Sequence, residues 1–338
     1  MKKFKKMCDS KKVRMNIFGF ILFLALVFPM LISNDYIIRL AIVSLMYGGM
    51  AMGLNLVSGV MGQISMGQAA FMGLGAYVSA ILSKNFELTF IVCVIAAVVV
   101  SAIFGMLLGI PSLKLSGGYL VIVTLGFCEV LRLVELNWDS VTRGAMGIPG
   151  IARPEFLGRF EIQSNAGYYY LILVFVVIVS ILLANLIHSH VGRAILSIRE
   201  DEVAAEAMGI NVLRYKVIAF SVSAAIGGFF GSFYAHYMRF VDPTSFNFDQ
   251  STSILSMVIL GGQGSMPGSM IGAIVLTVIP ECLRWLMDYR MLIYGLVLVL
   301  MMIYRPKGML GDLTLAKLLK MDKKYAVVDE AEKEDADE

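Results

Sequence analysis

Two strings in this chain share one chemistry. Gly62-Gln63-Ile64-Ser65-Met66-Gly67 recurs as Gly262-Gln263-Gly264-Ser265-Met266-Pro267-Gly268, with one residue inserted. Each precedes a run of small residues, beginning Gln68-Ala69-Ala70 in one copy and Ser269-Met270-Ile271 in the other. Gly, Gln, Ser and Pro are poor residues for the interior of a lipid-facing helix. Backbone that leaves the helix at membrane depth is tolerated only where protein or a water-filled cavity surrounds it. Two such breaks in corresponding halves point to a polar pathway, to which Gln63, Ser65, Gln68, Gln263 and Ser265 would contribute dipoles. A pair of ordinary short loops at the membrane surface is the open alternative.

Ionisable residues inside apolar runs are the second lead. Glu129 and Arg132 lie three apart on one helical face, with Thr124 on the same run. A lone charge at the bilayer centre costs roughly 3 kcal/mol or more, so such groups pair, snorkel or face a cavity. An ion pair at the outer end of the helix and a pathway role for Thr124 and Glu129 both remain open. Glu281, Arg284 and Asp288 pose the same question, and His236 is expected at the membrane interface. The glycines of Gly49-x-x-x-Gly53, Gly227-x-x-x-Gly231 and Gly264-x-x-x-Gly268-x-x-x-Gly272 fall one helical turn apart. In lipid such spacing brings backbones into close contact. No phosphate loop is present, Cys8, Cys93, Cys128 and Cys282 lack metal-ligand spacing, and no His-rich or Ser/Lys constellation assembles an enzyme site.

The segment Gly192 to Asn211 is the richest. Ala, Leu, Glu, Arg and Met favour helix over 193–209, and Gly209 is a natural stop. Leu196, Val203, Ala207 and Ile210 fall on one face, while Arg199, Glu202 and Glu206 occupy neighbouring positions that a partner could read. The acidic polar side argues against docking on anionic lipid and for docking on another protein.

The elements that must position these groups are transmembrane. Of 338 residues, 58% are hydrophobic and 16% charged, and the mean hydropathy is +0.79. The charge is concentrated in the tails: seven Lys or Arg in the first fourteen residues and seven Asp or Glu in the last ten. The net charge of +3 is their cancellation and gives no reason to expect nucleic acid as a partner. The sequence predicts an all-α membrane protein, a polytopic helix bundle of about ten spans (eight to ten) with broken or short helices. The candidate spans are 17–33, 37–57, 68–83, 89–110, 118–135, 168–188, 216–237, 252–262, 267–287 and 289–304, of which 252–262 resembles a half-helix. The run 17–32 ends in Ser33-Asn34-Asp35 without a small-x-small cleavage site, so it is expected to stay as the first span. The basic cluster Lys2–Arg14 places residues 1–16 in the cytoplasm. Counting crossings through the permeating domain 17–308 puts 136–167 outside, 189–215 inside and the tail 309–338 inside, so both termini are cytoplasmic. Arg143, Arg153 and Arg159 on the outer loop are a mild conflict. The acidic end of the tail is expected to be disordered.

The string Ile198 to Asn211 resembles the coupling loop of bacterial ABC importer permeases, and more narrowly that of LivM-type permeases of branched-chain amino acid importers. Asn55 to Tyr77, Ser116 to Arg132 and Ile259 to Gly272 agree in the same order, so that the resemblance runs from 37 to 308. It implies a subunit of the bacterial cytoplasmic (inner) membrane that pairs with a second, LivH-like permease. It also implies two cytoplasmic ATPase subunits, which hold the ATP and Mg while this chain binds no cofactor, and an extracytoplasmic amino-acid-binding protein. Carried over by residue, Glu206, Ala207 and Gly209 are the coupling core, with Glu202, Ala204, Ala205 and Met208 alongside and Arg193 and Arg199 flanking. The long N-terminus and acidic tail depart from the family pattern. Two other readings stay open: a permease of the same family for urea or short amides, and an ion-coupled secondary transporter. The latter predicts deep, unpaired carboxylates and leaves the segment 193–209 without a role.

Overall fold

Asn34 opens the first long helix by accepting a hydrogen bond from the Tyr36 amide, 3.0 Å away, through its side-chain oxygen. The computed structural model describes residues 24–31, 34–111, 115, 117–156, 160–162 and 164–282, with a few positions between 295 and 310. Its long helices are α1 (Asp35–Asn55), α2 (Gln68–Asn85), α3 (Phe90–Gly109), α4 (Gly118–Asn137) and α5 (Asn165–His188). Two short helices follow, α6 (His190–Glu200) and α7 (Glu202–Ala207), then α8 (Val212–Met238), α9 (Phe248–Gly261) and α10 (Met266–Cys282). These match eight of the expected spans within a few residues; 289–304 lies almost wholly outside the described residues, and of 17–33 only 24–31 are described, as helix. The expected half-helix at 252–262 is α9, which is 14 residues long.

Among the described residues, four helices are long and apolar enough to cross a membrane by length and composition: Asp35–Val60, Phe90–Gly109, Asn165–His188 and Val212–Met238. The others fall short for physical reasons. α2 is diluted by Gln, Ser, Gly and Ala, and α4 carries Glu129, Arg132 and Glu135. Helices of that kind need neighbours to enclose them.

Burial sorts the helices into inner and outer. About two thirds of α1 and of α8 is buried, against one third of α3 and of α5 (67% and 33% of the apolar window). The outer pair are accordingly the Val/Ile/Leu-rich ones, exposing Ile95, Val99, Ile103, Ile178 and Leu182 as a lipid-facing surface would. The inner pair carry the glycines. A Cβ at Gly75 would lie 2.2 Å from the Gly228 carbonyl oxygen, and one at Gly231 2.0 Å from that of Met72, so α2 and α8 touch backbone to backbone. Gly261 and Gly272 play the same part between α9 and α10. Ordinary close packing therefore accounts for the glycine spacing.

The end of the bundle opposite α6 is closed by a two-residue antiparallel pairing, β1 (Ile148–Pro149) with β4 (Phe240–Val241). β2 (Glu155–Phe156) and β3 (Phe160–Glu161) form a second small ribbon in the same loop. His236 is not interfacial: it is 1% exposed, with Nε2 2.9 Å from Ser79 Oγ and Nδ1 2.7 Å from the Ala152 carbonyl oxygen. It ties the loop to α8. The Phe90 ring against its edge completes its enclosure.

Candidate functional site

The turn from α5 into α6 is sharp, and Ser189 and Gly192 make it possible. Ser189 Oγ accepts from the Val191 amide at 3.1 Å. A Cβ at Gly192 would sit 2.1 Å from the Ile187 carbonyl oxygen. The helix expected to run unbroken over 193–209 is divided at Asp201, whose backbone is extended (φ −157°, ψ 113°). Its carboxylate accepts from the amides of Val203 and Ala204 at 2.9 and 3.0 Å. A side chain that satisfies the start of a new helix competes with continuation of the old one. Gly209 ends α7 as expected, at φ +84°, with the Ile210 amide bonded back to the Ala205 carbonyl at 3.0 Å.

The face is the one expected for docking on a partner, except that Ile210 is half-buried. Ala194, Ile195, Ile198 and Ala205 turn into the bundle, while Leu196, Val203, Ala207 and Met208 face out. Val203 is 77% and Met208 84% exposed. The apolar stripe legible in the sequence is thus left uncovered by the described residues. Arg193, Ala204 and Glu206 are exposed beside it.

Three arginine and lysine contacts fasten this segment. Arg193 donates to the His188 carbonyl at the end of α5, 3.1 Å. Arg199 Nη1 donates to the Gly59 carbonyl at 2.8 Å, within a turn of π-helix (Leu56–Val60) that ends α1. A helix end leaves carbonyls without intrahelical donors and carries partial negative charge, so a guanidinium fits there. Glu202 takes the Lys216 ammonium on both oxygens, 2.7 and 2.8 Å, with the lysine side chain 1% and the glutamate 39% exposed.

Arg199 also brings the two Gly-Gln strings into one account. Its Cγ lies 2.9 Å from where a Cβ at Gly62 would be, and its Nη1 3.6 Å from the corresponding point at Gly264. The Gly264 amide donates to Asn55 Oδ1 at 2.8 Å. Both breaks thus converge at the α6 end. Gly62, Gly262 and Gly264 adopt positive φ there, which L side chains adopt only with strain. The two serines do equivalent work. Ser65 Oγ accepts from the Gly67 amide (3.3 Å) and Ser265 Oγ from that of Gly268 (3.2 Å), each organising the start of the next helix.

Gln68 is buried in the seam between α2 and α8. Its Oε1 accepts from Ser223 Oγ at 3.2 Å, and its Nε2 donates to the Ser223 carbonyl at 3.4 Å. Thr124 Oγ1 accepts from the Met66 amide at 2.9 Å. Ser65, Gln68 and Thr124 therefore share one buried region. Gln63 is half-buried, with no hydrogen bond to its Oε1 among the described residues. Gln263 is exposed. Glu129 stands apart, ion-paired with Arg132 at 2.8 Å on the half-exposed flank of α4. Glu281 meets the Tyr36 hydroxyl, and Arg284 and Asp288 lie outside the described residues. Lys216 and Glu135 escaped the sequence reading. Glu135 continues the buried stripe Thr124, Cys128, Leu131 of α4, a 4-3-4 spacing that would have singled it out.

The family model for the branched-chain amino acid transport system permease component matches residues 36–302. The LivM permease protein of the high-affinity branched-chain amino acid transport system of Salmonella typhimurium is 35% identical over 325 residues, 89% of this chain and 76% of that protein. The LivH permease protein of Escherichia coli is 22% identical over 281 residues, 78% of this chain and 91% of its own. The fructose import permease protein FrcC of Rhizobium meliloti is 28% identical over 189 residues, 53% of this chain and 52% of its own. No solved structure matches the chain.

Proposed function

The chain belongs to the branched-chain amino acid transport permease family, and from that premise we propose that it is the membrane-spanning subunit of an ATP-driven importer for leucine, isoleucine and valine. It is a permease and not itself an enzyme. In this reading a second, LivH-like permease packs beside it, and two cytoplasmic ATPase subunits bind ATP and Mg. An extracytoplasmic binding protein delivers the substrate. Both termini and α6–α7 face the cytoplasm, and the loop closed by β1–β4 faces out.

The observation that carries this reading is the outward apolar face of α6–α7, uncovered by the described residues yet fastened through Arg199 and Glu202. A surface segment that only capped the bundle would bury Val203 and Met208. Here Leu196, Val203, Ala204, Glu206, Ala207 and Met208 form the docking face, with Gly209 setting where it stops. Arg193 and Arg199 hold its rear, and Ala205 packs α7 onto the bundle. ATP-driven closure of the ATPases displaces this face, and alternating access follows as the helices behind it shift. The motion can be no larger than the ligands' differential affinity for the two states supports. Gln68 and Thr124, in the buried seam, would line the path with Ser65. The test is reconstitution of the four-component transporter in proteoliposomes with labelled leucine, with isoleucine, valine and urea as competitors. Import that isoleucine and valine inhibit and urea does not supports the proposal. Loss of import and of ATPase retention in Met208→Asp locates the docking face. Retention unchanged by that substitution would refute it.

A further inference from the structure

Glu135 is a buried carboxylate that the coupling mechanism does not use. It lies in the last turn of α4, at the end of the bundle opposite α6, and is 5% exposed. Neither of its oxygens has a hydrogen-bond partner among the described residues. Arg132, one turn back, has its Nε on Glu129 at 2.8 Å. Opposite stands bare backbone. A Cβ at Gly73 of α2 would lie 2.8 Å from Glu135 Oε1 and 3.1 Å from Cγ of Phe246. One turn along α2, Tyr77 is 3% exposed, and its hydroxyl has no partner among the described residues either. The Tyr77 and Phe246 rings meet edge-on at 6.2 Å, and Tyr234 approaches the Phe246 ring at 5.9 Å. A carboxylate held away from water without donors is costly unless it takes up a proton or a cation answers it. A metal ion is a poor candidate, since hard cations want six or more oxygens, and among the described residues no cluster of three metal-ligating side chains exists. A primary ammonium fits better. Its three donors suit a carboxylate and a phenol oxygen, and its charge suits aromatic walls.

We infer that Glu135, Tyr77 and Phe246 form a receiving site for the ammonium group of the transported amino acid at the outer end of the path. The inference rests on the importer reading for the identity of that amine. Phe246 ends the turn Pro243–Phe246 between α8 and α9, a wall of the site that is not a long helix, so displacement of this turn opens the site. The test treats the full transporter in nanodiscs with dicyclohexylcarbodiimide, which modifies buried carboxyls, and reads Glu135 by mass spectrometry. The reagent is applied alone, with 3-methylbutylamine, and with 3-methylbutanol. The amine is expected to slow modification about tenfold or more, the discrimination one charge-assisted hydrogen bond supplies, and the alcohol is not. Equal protection by both, protection by neither, or a Glu135 that never reacts overturns the site. Leucine import is expected to fall in Glu135→Gln and to be largely retained in Glu135→Asp; equal import by Glu135→Gln and wild type also overturns it. A wild-type transporter that imports no branched-chain amino acid would instead refute the importer reading, and the amine-protection result is read either way.

Discussion

Removing Glu202 should cost more than removing Lys216, and the asymmetry follows from where each charge sits. The Lys216 side chain is 1% exposed and that of Glu202 39%. Glu202→Ala takes away the carboxylate that accepts two of the ammonium's hydrogen bonds at 2.7 and 2.8 Å, leaving a buried cation. Breaking a buried pair in this way costs about 3–5 kcal/mol, and solvent around a two-fifths-exposed glutamate reduces that to about 2 kcal/mol. Lys216→Met keeps the apolar stem in place and returns Glu202 to water, at a cost of about 1 kcal/mol or less. The double variant should therefore resemble Lys216→Met, a coupling of about 2 kcal/mol between the two sites. Thermal unfolding of the full chain in detergent, followed by thiol-dye reactivity, would read the first variant as a drop of roughly 3–6 °C. Equal losses from the two single variants, or additive losses in the double, would refute the reasoning.

Arg199→Ala should lower leucine import about tenfold through loss of the charge-assisted bond to the Gly59 carbonyl, with Arg199→Lys intermediate; uptake in proteoliposomes checks both, and full activity of the alanine variant would contradict the contact. Gly75→Ala should destabilise the bundle by about 1–3 kcal/mol, because its Cβ meets backbone that cannot rotate away; thermal unfolding measures it. Gly209→Ala should cost about 1 kcal/mol through its positive φ, and Gly209→Asn less, seen as increased proteolysis within 202–212.

The helices were legible in the sequence because hydrophobic length is a one-dimensional property. Asp35–Asn55, Phe90–Gly109 and Val212–Met238 fall within a few residues of the runs that predict them. Gly209 was legible for a similar reason, since a glycine after a helix-favouring run needs no tertiary context. Which side of each helix faces in was harder. Leu196, Val203 and Ala207 form a stripe by spacing alone, and spacing does not say whether that stripe is covered by the chain itself. His236 sits near a span's end, where an interfacial position is the natural expectation; only the fold brings Ser79 and the Ala152 carbonyl to it. Asp201 looked like one more acidic residue in a helix-forming run, yet two backbone amides make it a cap. Lys216 lies fourteen residues from its partner Glu202, across a turn whose geometry is set by Gly209.

The two fastenings of α6–α7 differ in kind, and the difference bears on how a stroke would travel. Glu202 reaches Lys216 on α8, the inner helix against which α2 and α3 both pack through glycines. A displacement passed along that route meets backbone-to-backbone contacts that cannot yield locally, so α8 would move as a unit. Arg199 reaches the π-turn of α1, a turn with looser i→i+5 bonding that is continuous with the Gly62 loop. That loop region touches the Gly264 loop through Asn55. Here Gly62, Gly262 and Gly264 hold the backbone at positive φ. The same push therefore drives a helix locked by backbone contacts on one side and a pair of glycine-turned loops on the other. Relative motion between the two halves of the bundle requires that combination.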